Sequence, residues 1–184
     1  MIATEMSCVP TGDGYPLGYF ITFRCYGTWL HGDARGSVDL NHNTPGEPLV
    51  EPDRRLEQTR MSQLKQSPVT LNEPCRVVVD RTIHEVCEHR DWELHACNVR
   101  SNHVHVVVSA ESSPEKVMNA LKSWSTRRLR ETKRIGPHTK PWSRHGSTKY
   151  LWNQAAIQAA CLYTEEGQGE NSAKQELPPG WAAP

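Results

Sequence analysis

The chain has 184 residues, of which 36% are hydrophobic and 23% charged, with 13 prolines and 12 glycines. That length suits one domain with a real core, and the composition excludes a coiled coil and a disordered chain. No run approaches the ~18 apolar residues of a membrane helix, and MIATEMSCVPTGDG lacks the regions of a signal peptide. The expected location is therefore the cytoplasm, with no membrane partner. The formal net charge is +0.

In chain order, residues 1–16 show no periodicity and read as a flexible lead-in. Residues 17–30, LGYFITFRCYGTWL, are rich in β-branched and aromatic types and predict a strand. Residues 31–70 are rich in Gly and Pro, an insertion with one short helix near 55–65. A helix is expected over about 72–90, capped by Asn72, with Val79, Ile83 and Val86 as its core stripe. Residues 92–99 and 103–109 form a hairpin around Arg100, Ser101 and Asn102. The signal Ser113-Pro114-Glu115 opens a helix running to about Arg134, with Val117, Leu121 and Trp124 buried. A short strand follows at 148–151, then a helix at about 153–166, stopped by Gly167 and Gly169. Residues 170–184 read as a disordered tail.

Without the insertion, the order is β-α-β-β-α-β plus a further helix. This is an α+β fold of the ferredoxin-like, split βαβ kind: an antiparallel sheet with two helices on one face and an extra C-terminal helix. One domain covers residues 17–169. The six cysteines form no Cys-x-x-Cys and read as small buried residues rather than disulfides or a zinc knuckle.

Zero net charge argues against a nucleic-acid partner, but the distribution of charge points the other way. Lys122, Arg127, Arg128, Arg130, Lys133, Arg134, Lys140, Arg144 and Lys149 stand in one segment against a single acid, Glu131. A basic segment in a neutral chain is a footprint for a polyanion. The second signal is Asn102-His103-Val104-His105-Val106-Val107-Val108. Strand alternation turns Val104, Val106 and Val108 to the helices and projects His103 and His105 together from the opposite face. Paired imidazoles suit a divalent metal, although two ordinary sheet histidines would read the same way. Tyr163 extends a stripe of Ala156, Ala159 and Ala160 on the last helix. Alone it reads as a core aromatic, but small residues let its helix approach the sheet.

The hairpin NVRSNHVHVVVS, the element order and the late helix in GSTKYLWNQAAIQAACLYTEEGQG resemble the HUH single-tyrosine transposases, and within them the REP-associated tyrosine transposase branch. The resemblance implies a metal-dependent, transposase-like endonuclease and strand transferase that cuts single-stranded DNA near hairpins. Tyr163 matches the nucleophile, which forms a 5′-phosphotyrosine and frees a 3′-hydroxyl. His103 and His105 match metal ligands, with Mg²⁺ or Mn²⁺ as the cofactor. The third ligand, in relatives an amide one turn past the tyrosine, falls here on Gly167. Gln168 is the first choice for it and Glu166 the second. Lys122, Arg127, Arg128, Arg130, Lys133 and Arg134 would neutralise phosphates of single-stranded or hairpin DNA. Trp142 and Trp152 are candidates for base stacking, and His31 and Arg35 for further contacts. Relatives include monomers and homodimers. Two other readings stay open: a catalytically silent DNA-binding protein of the same lineage, and a small hydrolase with a histidine-bound metal.

Overall fold

A computed structural model of the protein describes residues 15–34, 36 and 51–166. Most of the expected lead-in, the whole tail, Arg35, Gly167, Gln168 and Gly169 lie outside them. The elements run β1 (Gly18–Cys25), α1 (Arg54–Ser62), α2 (Glu73–His89), β2 (Glu93–Val99), β3 (His103–Ser109), α3 (Pro114–Glu131), β4 (Trp142–Leu151) and α4 (Gln154–Glu165). The four strands form one sheet in the order β2-β3-β1-β4, every neighbour antiparallel. With α1 set aside as part of the insertion, this is the ferredoxin-like arrangement.

Alternation divides the sheet into two faces. Ile21 and Phe23 of β1 and Val104, Val106 and Val108 of β3 bury against Val79 and Ile83 of α2 and Val117 and Leu121 of α3. Each such side chain contributes about 1.5–3 kcal/mol by leaving water, so this face holds the main core. The second face carries a smaller cluster: Phe20, Ala96, Val107 and Leu151 of the sheet under Ile157 and Ala160 of α4. Among the described residues no helix is long and apolar enough to cross a membrane.

Side-chain caps hold three helix starts: Asp53 accepts from the amides of Arg55 and Leu56, Asn72 from Cys75, and Asn153 from Ala156. Ser113 stands at the corresponding position of α3 but makes no such bond. Four boundaries differ from expectation. The first strand stops at Cys25, five residues early, because Gly27 turns the chain at φ 73°. The insertion helix ends at Ser62 rather than 65. The third helix stops at Glu131 because Lys133 adopts a left-handed φ of 55°. The last strand begins at Trp142 rather than at 148. It is an edge strand, so its middle residues are exposed and lack apolar alternation. It is also bulged: Phe23 pairs with Gly146, but Cys25 pairs with Trp142. Among the described residues, Cys25, Cys75 and Cys87 are buried, Cys97 and Cys161 half-buried, and all are free thiols. Burial pushes Cys25 up to about 12 and Cys87 up to about 11, which keeps both thiols protonated and inert.

Candidate active site

The site is built on the second face, where α4 crosses the sheet. Register sets His103 opposite Arg24, His105 opposite Thr22 and Val107 opposite Phe20. Alternation thus projects both imidazoles from the face away from α2 and α3, as the Val-x-Val-x-Val pattern requires. Their ring centroids lie 4.7 Å apart, with the planes at 81°.

Neighbours orient each ring. Thr22 Oγ1 lies 2.8 Å from His105 Nδ1, and Asn102 Oδ1 lies 2.6 Å from His103 Nδ1. When Nδ1–H donates to these oxygens, the lone pair of each ring sits on Nε2. Phe20 lies parallel to His105, with centroids 5.3 Å apart and planes at 4°. His105 is only 6% exposed, so its ring has little freedom to reorient.

Tyr163 arrives from the helix. Ile157 and Ala160 bury against Phe20 and Leu151, with Ala156 packed beside them, so small side chains let α4 lie close to the strands. The end of α4 is tied down where Asn98 Nδ2 donates to the Thr164 carbonyl at 2.7 Å. The Tyr163 ring then stands nearly perpendicular to His105, 5.9 Å between centroids, and to Phe20 at 5.8 Å. Three residues far apart in sequence therefore share one patch of the sheet. Tyr150, the other tyrosine of this segment, makes an edge contact with Tyr19 on the α2–α3 side, 5.5 Å between centroids.

The donor set for a metal is partial. Two imidazoles, each held through Nδ1, present the nitrogen chemistry that a divalent cation requires. Among the described residues, no group of three or more His, Cys, Asp or Glu gathers to hold one. Further donors would come from outside that group. Gln168 lies outside the described residues, and Glu166 caps the end of α4.

The structure parts the basic segment from this patch. Lys122 corrects the expectation from sequence: it is 7% exposed, and its Nζ donates to the carbonyls of Ser143, Arg144 and His145 at 3.0, 3.4 and 3.2 Å. These carbonyls belong to the bulge of β4, and the ammonium replaces the ladder bonds lost there. Burial lowers its pKa to about 8. Lys122 is thus a structural cation and does not face a phosphate. Arg127, Arg128, Arg130, Lys133 and Arg134 are exposed, but α3 packs with α2 on the far side of the sheet. Two of them are already paired: Arg127 with Glu131 at 3.1 Å, and Arg128 with Glu85 and Glu131 at 3.1 and 3.2 Å.

The tryptophans exchange roles. Trp142 is in the core and donates from Nε1 to the Lys122 carbonyl at 3.0 Å. Trp152 is 43% exposed and stacks on Tyr150, 6.0 Å between centroids. His31 is exposed. Thr22, Asn102, Phe20 and Arg24 escape sequence reasoning, whereas Lys149, named with the basic segment, is a member of it that shares the site face. Lys149 stands opposite Phe20, and burial lowers its pKa. Alternation in β1 groups Phe20, Thr22 and Arg24, but only strand order reveals what they face.

A family profile described as "Transposase IS200 like" matches residues 61–155, a span from α1 to the start of α4 that includes both histidines. Comparison with curated proteins returns no match. Among solved structures, the chain is similar to a transposase candidate from Deinococcus radiodurans R1, at 14% identity and TM-score 0.47, covering 83% of this chain and 92% of that one. It is also similar to a REP-associated tyrosine transposase bound to a REP hairpin, at 12% identity and TM-score 0.47, covering 86% of this chain and 70% of that one.

Proposed function

Since the chain belongs to the IS200-like transposase family, we propose that it cuts and rejoins single-stranded DNA through a covalent bond to Tyr163. The observation that carries this reading is the approach of Tyr163 to His105, 5.9 Å between ring centroids, although 58 residues separate them in the chain. In the proposed reaction the Tyr163 oxygen loses its proton and attacks the scissile phosphorus. The P–O3′ bond breaks, and the 3′-oxygen leaves with the electron pair and takes up a proton. The products are a 5′-phosphotyrosine and a 3′-hydroxyl. Reversal on another 3′-end rejoins the strand, so no nucleotide cofactor is consumed.

His103 and His105 would hold a divalent cation, Mg²⁺ or Mn²⁺, through Nε2, with Gln168 or Glu166 as a further ligand. When bound, it would supply Lewis-acid polarisation of the phosphate, which a weakly nucleophilic phenol needs in order to attack. Thr22 and Asn102 hold Nδ1 of His105 and His103, and Phe20 lies parallel to the His105 ring. The exposed cations Arg127, Arg128, Arg130, Lys133 and Arg134 would hold flanking hairpin DNA from the far face rather than the strand being cut.

The test is to incubate the protein and Mn²⁺ with single-stranded hairpins from the DNA flanking its gene. The expected result is a denaturant-resistant adduct that maps to Tyr163. An adduct on another residue refutes the site, and binding without any adduct favours the catalytically silent DNA-binding reading.

A further inference from the structure

We infer that Arg24 holds the backbone phosphate of the strand being cut. The inference rests on the reading that single-stranded DNA crosses this face. Three observations converge on this side chain. First, register places Arg24 directly opposite His103, so both project from the same face on neighbouring strands; directly opposed Cβ atoms in such pairs lie about 4.5–5.5 Å apart. Second, α4 covers this face mainly over β2 and β3. On the β1–β4 half, Thr22 and Arg24 are half-buried and Ser147 is exposed, so a strand can approach there. Third, the guanidinium is preorganised. Its Cζ lies 3.2 Å from the Trp29 ring centroid, and that ring is anchored by Nε1 donating to the Gly36 carbonyl at 2.7 Å.

The chemistry follows from that geometry. A guanidinium stacked on an aromatic plane keeps its edge N–H groups directed sideways, the arrangement that meets a phosphate with two parallel hydrogen bonds. Five donors allow it to take a phosphate while retaining neighbouring contacts. The basic end of α3 cannot do this from the opposite side of the sheet. A stack that merely held the 26–36 loop would give the same Arg–Trp contact, but it would have no effect on the salt dependence of DNA binding.

Fluorescence anisotropy of a labelled oligothymidylate, measured across a salt series in a Tyr163→Phe background, separates the two roles. Arg24→Gln should weaken binding about 10- to 100-fold and make the log–log salt plot shallower by about 0.7. Arg81→Gln, on exposed α2 across the sheet, should change neither. Unchanged affinity and slope in a folded Arg24→Gln protein overturn the inference. If that variant fails to fold, Arg24→Lys decides: reduced affinity at an unchanged slope supports bidentate contact, and parental affinity overturns it. The two readings fail differently. Oligothymidylate binding through Arg24 without any hairpin adduct would refute cleavage but not this contact. Adduct formation with Arg24→Gln binding unchanged would do the reverse.

Discussion

Replacing Thr22 with Val tests how the site is oriented, because it removes one hydroxyl and keeps the shape of a β-branched strand residue. Thr22 Oγ1 stands 2.8 Å from His105 Nδ1, on a ring that is 6% exposed and flanked by Phe20 and Tyr163. Water has poor access to compensate for the lost partner, so about 1–3 kcal/mol of orientation is lost. At 1.4 kcal/mol per decade, this predicts cation binding weakened about 10- to 100-fold, the range usual when a histidine ligand loses its outer partner. Titration with Mn²⁺, following the free ion by electron paramagnetic resonance, gives the affinity, and ¹⁵N NMR of the imidazoles reports the tautomer. Thr22→Ser keeps the oxygen and should stay close to wild type. Wild-type Mn²⁺ affinity and an unchanged His105 tautomer in Thr22→Val would refute the argument.

Tyr163→Phe should lose the adduct entirely while folding and DNA affinity persist; gel analysis with mapped hairpins checks this. The double change His103→Ala and His105→Ala should abolish Mn²⁺-dependent cleavage while the chain still folds. Its thermal melt should be lowered, because loss of the buried His105 ring leaves a gap beside Phe20 and Tyr163. Lys122→Met should cost about 1–3 kcal/mol in urea unfolding at neutral pH, as the Ser143, Arg144 and His145 carbonyls lose their donor. The folded pKa of Lys122, about 8, lies below the ordinary 10.5, so the unfolded chain binds more protons between those values. Its contribution to stability therefore grows as pH rises through that window and is smallest below pH 8, and the gap to Lys122→Met should widen from pH 8 upwards. Thiols such as Cys25 and Cys87 are common to both proteins and cancel in that comparison. Gly146→Ala should destabilise by about 1–3 kcal/mol, because its Cβ would come within 2.5 Å of Met118 Sδ and the Thr22 carbonyl; wild-type stability in a melt would contradict this packing.

Much of the fold was legible because local signals agreed. Asn72 caps α2 as its position suggested, and Val104, Val106 and Val108 fixed the buried face of β3 from alternation alone. The imidazole pair was legible for the same reason, since a period of two assigns His103 and His105 to the other face without knowledge of any partner. Its supports were not. Thr22 is 83 residues from His105, and no periodicity encodes which strand lies beside β3. Edge strand β4 was half missed because solvent on its outer positions erases alternation, and its bulge erases register. Lys122 misled for a related physical reason. A lysine in a basic run looks solvated, and only the strand passing over it shows that its charge serves three backbone carbonyls.

Separation of the two faces also bears on how a tyrosine could work here. The imidazoles stand on a central strand whose reverse face is packed against α2 and α3, so their positions are inherited from the main core. Tyr163 rides instead on α4, held by the smaller cluster around Phe20, Leu151, Ile157 and Ala160 and by the Asn98–Thr164 bond. Less apolar area is buried there, so lifting α4 requires less free energy than disturbing the sheet beneath it. A nucleophile that becomes joined to a DNA strand must later release it to another 3′-end, which favours a mobile carrier over a rigid site. On the proposed reading, the fold would match that division: the imidazoles on β3 rest on the main core, while Tyr163 rides on a helix held by the smaller of the two clusters.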